Sequence, residues 1–327
     1  MVKVISYNIL SPNLCHNGEF MNYEEEQLDP IIRRNRLVLL IDEWTSDIDP
    51  PIIALQEVSY EWKGVLEKIF MNRNYRYYGM NYGNFKNGFF GIGIAIPEIY
   101  KVEKIDYIHL SQHIKTAPID EIYQPENGLI SKLRYFLEDI ISEDEELKKV
   151  KSNINDALHR PNFLIRLILE KDYRFAVYNY HMPCAFKTPV VQTLHVDGLK
   201  RVIRENDIPT ILATDFNLIP ESDGYNYMTS AIISGEHYKY LDKGEHRKLK
   251  LQSSFKMING KEPSYTCFSN TKWGGEFKNC LDYIFISNHF TTVDSKLLIY
   301  TTDKMPNNNN PSDHLPLQSK LELMHKD

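Results

Sequence analysis

The sequence has little of what marks a secreted or membrane-bound protein. None of its four cysteines (Cys15, Cys184, Cys267 and Cys280) stands in a C-x-x-C pair, so no structural zinc site of that kind is expected. Four thiols could form disulfides outside the cell, but the chain opens on an alternating, strand-like pattern instead of a secretory leader. No apolar run is long enough to span a bilayer. The sequence therefore predicts a protein that is not secreted and lies in the cytoplasm, or alternatively in the nucleus.

An excess of positive charge is also missing, because the 327 residues carry a formal net charge of -6. Proteins that hold duplex nucleic acid through non-specific contacts are usually basic, so that role is disfavoured for the chain as a whole. Internal repeats and long Gly/Ser linkers are missing too. Because β-rich enzymes of this length can form one unit, a single domain over 1–327 is predicted.

The sequence contains apolar runs of strand character, mixed with segments of helical periodicity. The runs Ile52–Leu55 and Ile208–Ala213 predict buried strands, and Pro30–Trp44 and Val190–Arg204 predict helices. Because strands and helices do not alternate strictly, a two-sheet sandwich with outer helices is favoured over a doubly wound parallel sheet. A charged stretch at about 110–160 interrupts this pattern, and an insertion is predicted there.

Oxygen-bearing side chains follow several of these apolar runs. They are Asn8, Glu57, Asp215, Asn217 and Asp313. Taken singly, Asn8 and Asp215 could be ordinary turn residues, and Glu57 could be an exposed carboxylate. A carboxylate that ends a buried strand costs free energy unless it is paired or binds a metal. An oxygen-rich set favours Mg²⁺, with Mn²⁺ as a substitute, over zinc.

Two histidines stand at comparable positions. His181 follows a predicted strand and His314 follows a carboxylate, so both could donate to phosphate oxygens, although a single histidine is more often structural. Asp282 lies inside an apolar strand and needs a partner, which His314 could be. Such a pair fixes the imidazole tautomer and favours its protonated form. Asn162 is a weaker candidate, since a loop amide explains it equally well.

Taken in order along the chain, this set resembles the endonuclease/exonuclease/phosphatase superfamily, and within it the deadenylase, nocturnin and 2'-phosphodiesterase branch. The motifs that carry the resemblance are Tyr7–Leu10, Leu55–Val58, Pro263–Thr266, Leu281–Phe285 and Ser312–Pro316. The resemblance implies an α/β fold, namely a four-layer α/β sandwich. In it, two mixed, mostly antiparallel β-sheets pack face to face, with helices outside.

The resemblance also implies three groups of site residues. The implied metal ligands are Asn8, Glu57 and Asp313. The implied catalytic residues are His181, Asp215, Asn217, Asp282 and His314. The implied substrate-binding residues are Asn162, His181 and Asn217. Glu57 would be the principal Mg²⁺ ligand, Asp215 would activate water, and Asp282 would orient His314.

The sequence therefore predicts a monomeric, Mg²⁺-dependent phosphodiesterase that acts on RNA or an oligonucleotide. It would be a 3'-5' exoribonuclease of deadenylase type or a 2'-5' oligoadenylate phosphodiesterase. One alternative is the same machinery acting on a phosphorylated dinucleotide or a lipid headgroup. An inactive binding module ranks lower because the expensive polar residues of the site are all present. A DNA endonuclease ranks lower because of the negative net charge and the Leu281–Phe285 motif.

Overall fold

A computed structural model describes the helices, strands and connecting segments of most of the chain. The described residues are 1–15, 19–122, 145–205, 208–233, 235–272 and 274–324. The strands are β1 (Val2–Asn8), β2 (Ile52–Val58), β3 (Tyr75–Asn81), β4 (Gly91–Pro97), β5 (Lys101–His109), β6 (Phe163–Glu170), β7 (Arg174–His181), β8 (Thr210–Asp215), β9 (Gln252–Ser253), β10 (Cys267–Thr271), β11 (Gly275–Asn279), β12 (Asp282–Ile286), β13 (Phe290–Leu297) and β14 (Leu317–Leu323). The helices are α1 (Glu25–Leu28), α2 (Pro30–Thr45), α3 (Tyr60–Asn72), α4 (Ile119–Ile122), α5 (Glu145–His159), α6 (Pro189–Arg204), α7 (Asp223–Ser230), α8 (Gly235–Tyr238) and α9 (Ser254–Asn259).

Two six-stranded sheets form the centre of the fold. The first has the strand order β13-β14-β1-β2-β4-β3, and the second has the order β5-β6-β7-β8-β12-β9. Within each sheet one neighbouring pair is parallel, β1 with β2 and β7 with β8, and the other pairs are antiparallel. The prediction of two mixed, mostly antiparallel sheets is confirmed.

The two sheets pack face to face through a shared apolar core. Residues of both sheets contribute to it, among them Val4, Ile52, Ile94, Ile165, Val177, Ile211 and Ile284. A second cluster packs α2 and α3 against the outer face of the first sheet. A third packs α5, α6 and α7 against the outer face of the second sheet. This helix–sheet–sheet–helix order is the predicted four-layer α/β sandwich.

Local signals in the sequence explain where the helices begin. Asp29 precedes α2, and its side chain accepts hydrogen bonds from the N–H groups of Ile31 and Ile32. Pro30 occupies the first turn of α2, where its missing N–H costs nothing. Strand β8 begins at Thr210, two residues after the predicted start at Ile208. The proline at position 209 has no N–H with which to join the ladder.

The charged stretch at about 110–160 is described only at its two ends. Residues 123–144 lie outside the described part of the chain, so the insertion stays a prediction. At the far end, α5 packs against α6 through Val150 and Ala157, which are buried. In the described ranges, every helix is too short or too polar to cross a membrane.

Candidate active site

Three of the predicted site residues occupy one row across neighbouring strands of the second sheet. His181, the last residue of β7, pairs in register with Asp215, the last residue of β8. Asp215 in turn pairs with Asp282, the first residue of β12. Because β12 runs antiparallel to β8, its beginning meets the ends of the other two strands. Directly opposed residues project to the same face of a sheet, so the three side chains point to one side.

Glu57 reaches this row from the first sheet through an irregular backbone. The pairing of β2 with β4 shifts register between Gln56 and Val58, which marks a β-bulge at Glu57. Its φ of 58° is in the left-handed region that a residue with a side chain rarely adopts. The carboxylate accepts from the N–H of Ser11 at 3.0 Å and from Asn8 Nδ2 at 3.1 Å. The bulge therefore turns an acidic side chain towards the end of the neighbouring sheet.

Asn8 joins the two sheets at this point. Its Nδ2 group also donates to Asp215 Oδ2 at 2.8 Å, so one amide lies between two carboxylates. Its Oδ1 accepts from the N–H of Leu10 at 3.0 Å. The amide orients Glu57 and Asp215 through its nitrogen. The role of Asn8 as a metal ligand stays a prediction.

Asp282 and His314 form a buried pair, as the sequence suggested. Asp282 Oδ2 lies 2.8 Å from His314 Nδ1 and also accepts from the hydroxyl of Thr266 at 2.6 Å. Burial by itself would lower the pKa of His314, but the negative charges around it, led by Asp282, raise that pKa well above its usual range. The imidazolium is therefore the favoured form, and its Nε2 lies 3.9 Å from Asp215 Oδ2 and 4.0 Å from Asp313 Oδ1.

Asp215 lies at the centre of the cluster. Its Oδ2 is 3.4 Å from His181 Nε2 and 3.9 Å from His314 Nε2, and its Oδ1 accepts from the N–H of Asn217 at 3.0 Å. Burial raises the pKa of Asp215, and both histidines oppose that shift. A carboxylate with a raised pKa next to two donors is suited to accept a proton from water.

Asp313 completes a concentration of negative charge that fits a divalent cation. Burial, reinforced by the charge of Glu57, raises the pKa of Asp313 to about 6. Its Oδ1 atom is buried and has no hydrogen-bond partner among the described residues. Four carboxylates (Glu57, Asp215, Asp282 and Asp313) thus belong to one site. Oxygen ligands of this kind suit Mg²⁺ or Mn²⁺, so the residues present fit the predicted metal.

The two predicted substrate-binding amides hold the backbone that follows β7. Asn162 Nδ2 donates to the carbonyl of His181 at 2.8 Å, and Asn217 Nδ2 donates to the carbonyl of Met182 at 2.9 Å. Both residues also line the open cleft beside the row. Because a primary amide has two N–H bonds and one carbonyl oxygen, each could also contact a substrate oxygen. Their roles in substrate binding stay predictions.

A comparison with models of known protein families gives a match over most of the chain. The model of the Endonuclease/Exonuclease/phosphatase family matches residues 5–314. The chain belongs to this family. The match begins in the first strand and ends at His314, so it includes each strand end that contributes a residue to the site.

Similarity to individual family members covers a smaller part of the chain. The Ccr4 exoribonuclease subunit of the CCR4-Not complex from Mycosarcoma maydis is 28% identical over 133 residues, which is 37% of this chain and 19% of that protein. Mouse 2',5'-phosphodiesterase 12 is 31% identical over 141 residues, 40% of this chain and 22% of the relative. The chain thus matches about a fifth of the length of these curated relatives.

A solved structure extends the likeness of fold to the whole chain. The human nocturnin catalytic domain with bound sulfate superposes with a TM-score of 0.63 at 18% identity, covering 99% of this chain and 94% of the domain. This superposition shows the shared fold, and the matches to Ccr4 and 2',5'-phosphodiesterase 12 confirm the predicted resemblance to the deadenylase, nocturnin and 2'-phosphodiesterase branch.

Several residues that support the family's site were not singled out from the sequence. The buried guanidinium of Arg33 donates to the carbonyls of Pro311 and Leu10, which adjoin the first and last site motifs. Asn310 Nδ2 donates to the carbonyl of His314 at 2.6 Å. All of these contacts are made to backbone oxygens, and those of Arg33 span 23 residues or more. The only local signal was an arginine on the core-facing side of a predicted helix.

The site opens into a cleft of about 790 Å³ whose walls carry aromatic and basic side chains. Phe186, which is 47% exposed, lies 5.9 Å from Phe277 between ring centroids. Phe90 lies 5.6 Å from the imidazole of His181. Arg160, at the end of the charged stretch, also lines the cleft. The cleft is large enough for a nucleotide and offers both stacking surfaces and positive charge.

Proposed function

We propose that this chain is a Mg²⁺-dependent phosphodiesterase that hydrolyses RNA or an oligonucleotide, with Mn²⁺ able to replace Mg²⁺. Its preferred substrate would be adenylate-rich, attacked either from the 3' end or at 2'-5' linkages. The observation that carries this proposal is the convergence of His181, Asp215, His314 and Glu57 at the ends of strands from both sheets. That convergence brings together a proton acceptor, two donors and an oxygen ligand for a metal.

The side chains of the row divide the reaction between them. Asp215 Oδ2 would take a proton from the attacking water, since its raised pKa brings it closer to neutrality. His314 Nε2–H would donate to a non-bridging phosphate oxygen, because Asp282 holds the ring from the other side. His181 Nε2, on the opposite side of Asp215, would donate to the phosphate as well.

The predicted Mg²⁺ would be held by Glu57, with Asp313 and Asn8 next to it, and would supply positive charge to the phosphate when bound. The chain itself holds these groups in place. The N–H of Ser11 and the amide of Asn8 orient the Glu57 carboxylate, so the ligand does not have to be ordered when the metal arrives.

Two features support a nucleotide as the substrate. The cleft walls carry exposed or partly exposed rings, Phe186 and Phe277, on which a base could stack. The curated relatives include a 3'-5'-exoribonuclease subunit and 2',5'-phosphodiesterase 12. Because the shared segments are short, the choice between 3'-5' and 2'-5' linkages belongs to the proposal.

The test is a gel assay of 5'-labelled oligo(A), 2'-5'-linked oligoadenylate and mixed-sequence RNA, with Mg²⁺ or EDTA. We expect Mg²⁺-dependent shortening of an adenylate substrate by the wild type, and none by Asp215→Ala. The control is Asp223→Ala, which removes a partly exposed carboxylate outside the cleft. Equal cleavage by Asp215→Ala, or cleavage that persists in EDTA, would contradict the assigned mechanism.

A second candidate substrate is a small phosphorylated dinucleotide. The cleft volume of about 790 Å³ lies within the range of small-molecule pockets, and Arg160 could bind an additional phosphate at its wall. Phosphate release from such a dinucleotide, without shortening of any oligonucleotide, would favour this candidate. A lipid headgroup ranks below both.

The proposal also covers the cellular compartment and the oligomeric state of the enzyme. The four cysteines are free thiols, which supports a reducing compartment such as the cytoplasm or the nucleus. We propose a monomer with a single catalytic domain over 1–327. Size-exclusion chromatography with light scattering would test the oligomeric state.

A further inference from the structure

A cysteine stands in the cleft where the proposed reaction has no need of one. Cys267 opens β10 and forms an isolated antiparallel bridge with His314. Two flanking hydrogen bonds fix this register: Phe268 N–H to the Asp313 carbonyl at 3.0 Å, and Leu315 N–H to the carbonyl of the residue before Cys267 at 2.7 Å. Opposed residues in such a pair place their side chains on the same face. The thiol is therefore held beside the catalytic imidazole.

Three potential metal-binding atoms converge at this position. The Sγ of Cys267, a carboxylate oxygen of Asp313 and a ring nitrogen of His314 all lie within 4.8 Å of one another. His314 Nε2 is 4.0 Å from Asp313 Oδ1, the buried atom that has no hydrogen-bond partner among the described residues. Small rotations would bring all three atoms within the roughly 2.0–2.3 Å that zinc requires of its ligands.

The surroundings of His314 point independently to a metal. Its Nδ1–H donates to Asp282, which leaves Nε2 directed at Cys267 and Asp313. A histidine that binds zinc through one nitrogen usually donates the other N–H to a carboxylate, which fixes the tautomer and raises the basicity of the ligand. Asp282, supported by Thr266, already provides that carboxylate.

We propose that Cys267, Asp313 and His314 form a Zn²⁺ site in the catalytic cleft, and that its occupancy inhibits hydrolysis. A thiolate and an imidazole select zinc or cadmium over magnesium, whereas Glu57 offers only oxygen. Binding replaces the thiol proton of Cys267 and any proton on His314 Nε2 with bonds to the metal. These protons pass to solvent, and no oxidation state changes.

Inhibition follows from the ligands that zinc would take. His314 Nε2 would no longer donate to a phosphate oxygen, and Asp313 would be withdrawn from the predicted Mg²⁺ ligands. Zinc should therefore compete with both substrate and Mg²⁺. The inhibition part of this inference rests on the proposed function, whereas binding of the metal can be measured without any turnover.

The first experiment is an absorbance titration of the wild type with Cd²⁺ in the presence of excess Mg²⁺. A thiolate-to-cadmium charge-transfer band is expected at one equivalent. The band should be lost in Cys267→Ser and Cys267→Ala but retained in Cys184→Ser, which removes a second cysteine of the same cleft. Thermal unfolding of each variant checks that it is folded.

The second experiment measures Zn²⁺ inhibition of each protein relative to its own uninhibited rate. Loss of an outer-shell partner costs about 10- to 100-fold in metal affinity, so loss of a direct ligand in Cys267→Ser should weaken inhibition by at least about 10-fold, whereas Cys184→Ser should retain wild-type sensitivity. Equal Cd²⁺ bands in wild type and Cys267→Ser, or equal sensitivity to Zn²⁺, would overturn the proposal. A Cys267-dependent Cd²⁺ band in a protein that cleaves no phosphodiester would support the metal site and refute the proposed function instead.

Discussion

A buried histidine behind the catalytic strand should make the protein sensitive to acid. His195, on α6, is fully buried and accepts a hydrogen bond through Nδ1 from the hydroxyl of Tyr180 at 2.7 Å. Its Nε2–H donates to the carbonyl of Ala157 at 3.1 Å. The ring therefore joins β7, α6 and α5 in its neutral form. A second proton on the ring would occupy Nδ1, which accepts the hydrogen bond from Tyr180. Tyr180 directly precedes the site residue His181.

The size of the effect follows from the difference in pKa between the folded and unfolded states. Burial, helped by Arg160, lowers the pKa of His195 from 6.5 to about 3, while the bond to Ala157 opposes the shift. Because the folded pKa is depressed, the unfolded state binds more protons between these two values. Stability is therefore lost as pH falls below 6.5. From pH 8 to pH 5 this one group should cost about 2 kcal/mol.

The assay is urea unfolding at pH 8 and pH 5, for the wild type and for His195→Gln. Glutamine can accept from Tyr180 and donate to Ala157 but carries no titrating proton. Other groups titrate in both proteins, so the informative quantity is the difference between the two pH-dependent losses of unfolding free energy. We expect the wild type to lose about 2 kcal/mol more than the variant. Equal losses in the two proteins would refute the assignment of a neutral, buried His195.

Two further predictions concern the site itself. Glu57→Ala should lower Mg²⁺-dependent hydrolysis by about 100-fold or more, and Mg²⁺ should no longer raise its melting temperature as it does in the wild type; an unchanged thermal shift would place the metal elsewhere. Thr266→Val should lower kcat by about 10- to 100-fold because Asp282 loses its hydroxyl donor, whereas Thr266→Ser should keep near wild-type kcat. If serine fails to restore kcat, the hydroxyl is not what positions Asp282.

The sequence predicted the strands that are buried on both faces but missed β5, an edge strand of the second sheet. The run Ile52–Leu55 is continuous and apolar because β2 packs between the other sheet and helix α3. By contrast, β5 (Lys101–His109) is an edge strand whose side chains are mostly exposed and often charged. Its pattern did not distinguish it from a loop. Strand β11 was missed for the same reason, since most of its side chains are solvent-exposed.

Residues of the site could be predicted where a polar group interrupts an apolar run of the sequence, as Asp282 does within Leu281–Phe285. Its pairing with His314 was predicted because an unpaired buried charge costs free energy. In the structure, Asp282 Oδ2 and His314 Nδ1 are 2.8 Å apart. The presence of Cys267 in the same cleft could not be predicted, because it depends on strand register over a separation of many residues. The left-handed backbone at Glu57 was equally invisible, since nothing in Leu55–Val58 indicates a bulge.

His181, Asp215 and Asp282 form a single row, so the residues of the proposed chemistry are separate from the residues that would select the substrate. The spacing of these groups is set by the ladder of β7, β8 and β12, whereas the cleft walls come from connecting segments such as those carrying Phe186 and Arg160. Lineages could lengthen or exchange those connections and acquire new substrates while the chemistry stayed in place. The same division suits engineering, in which walls are grafted from one relative to another and the row is left intact.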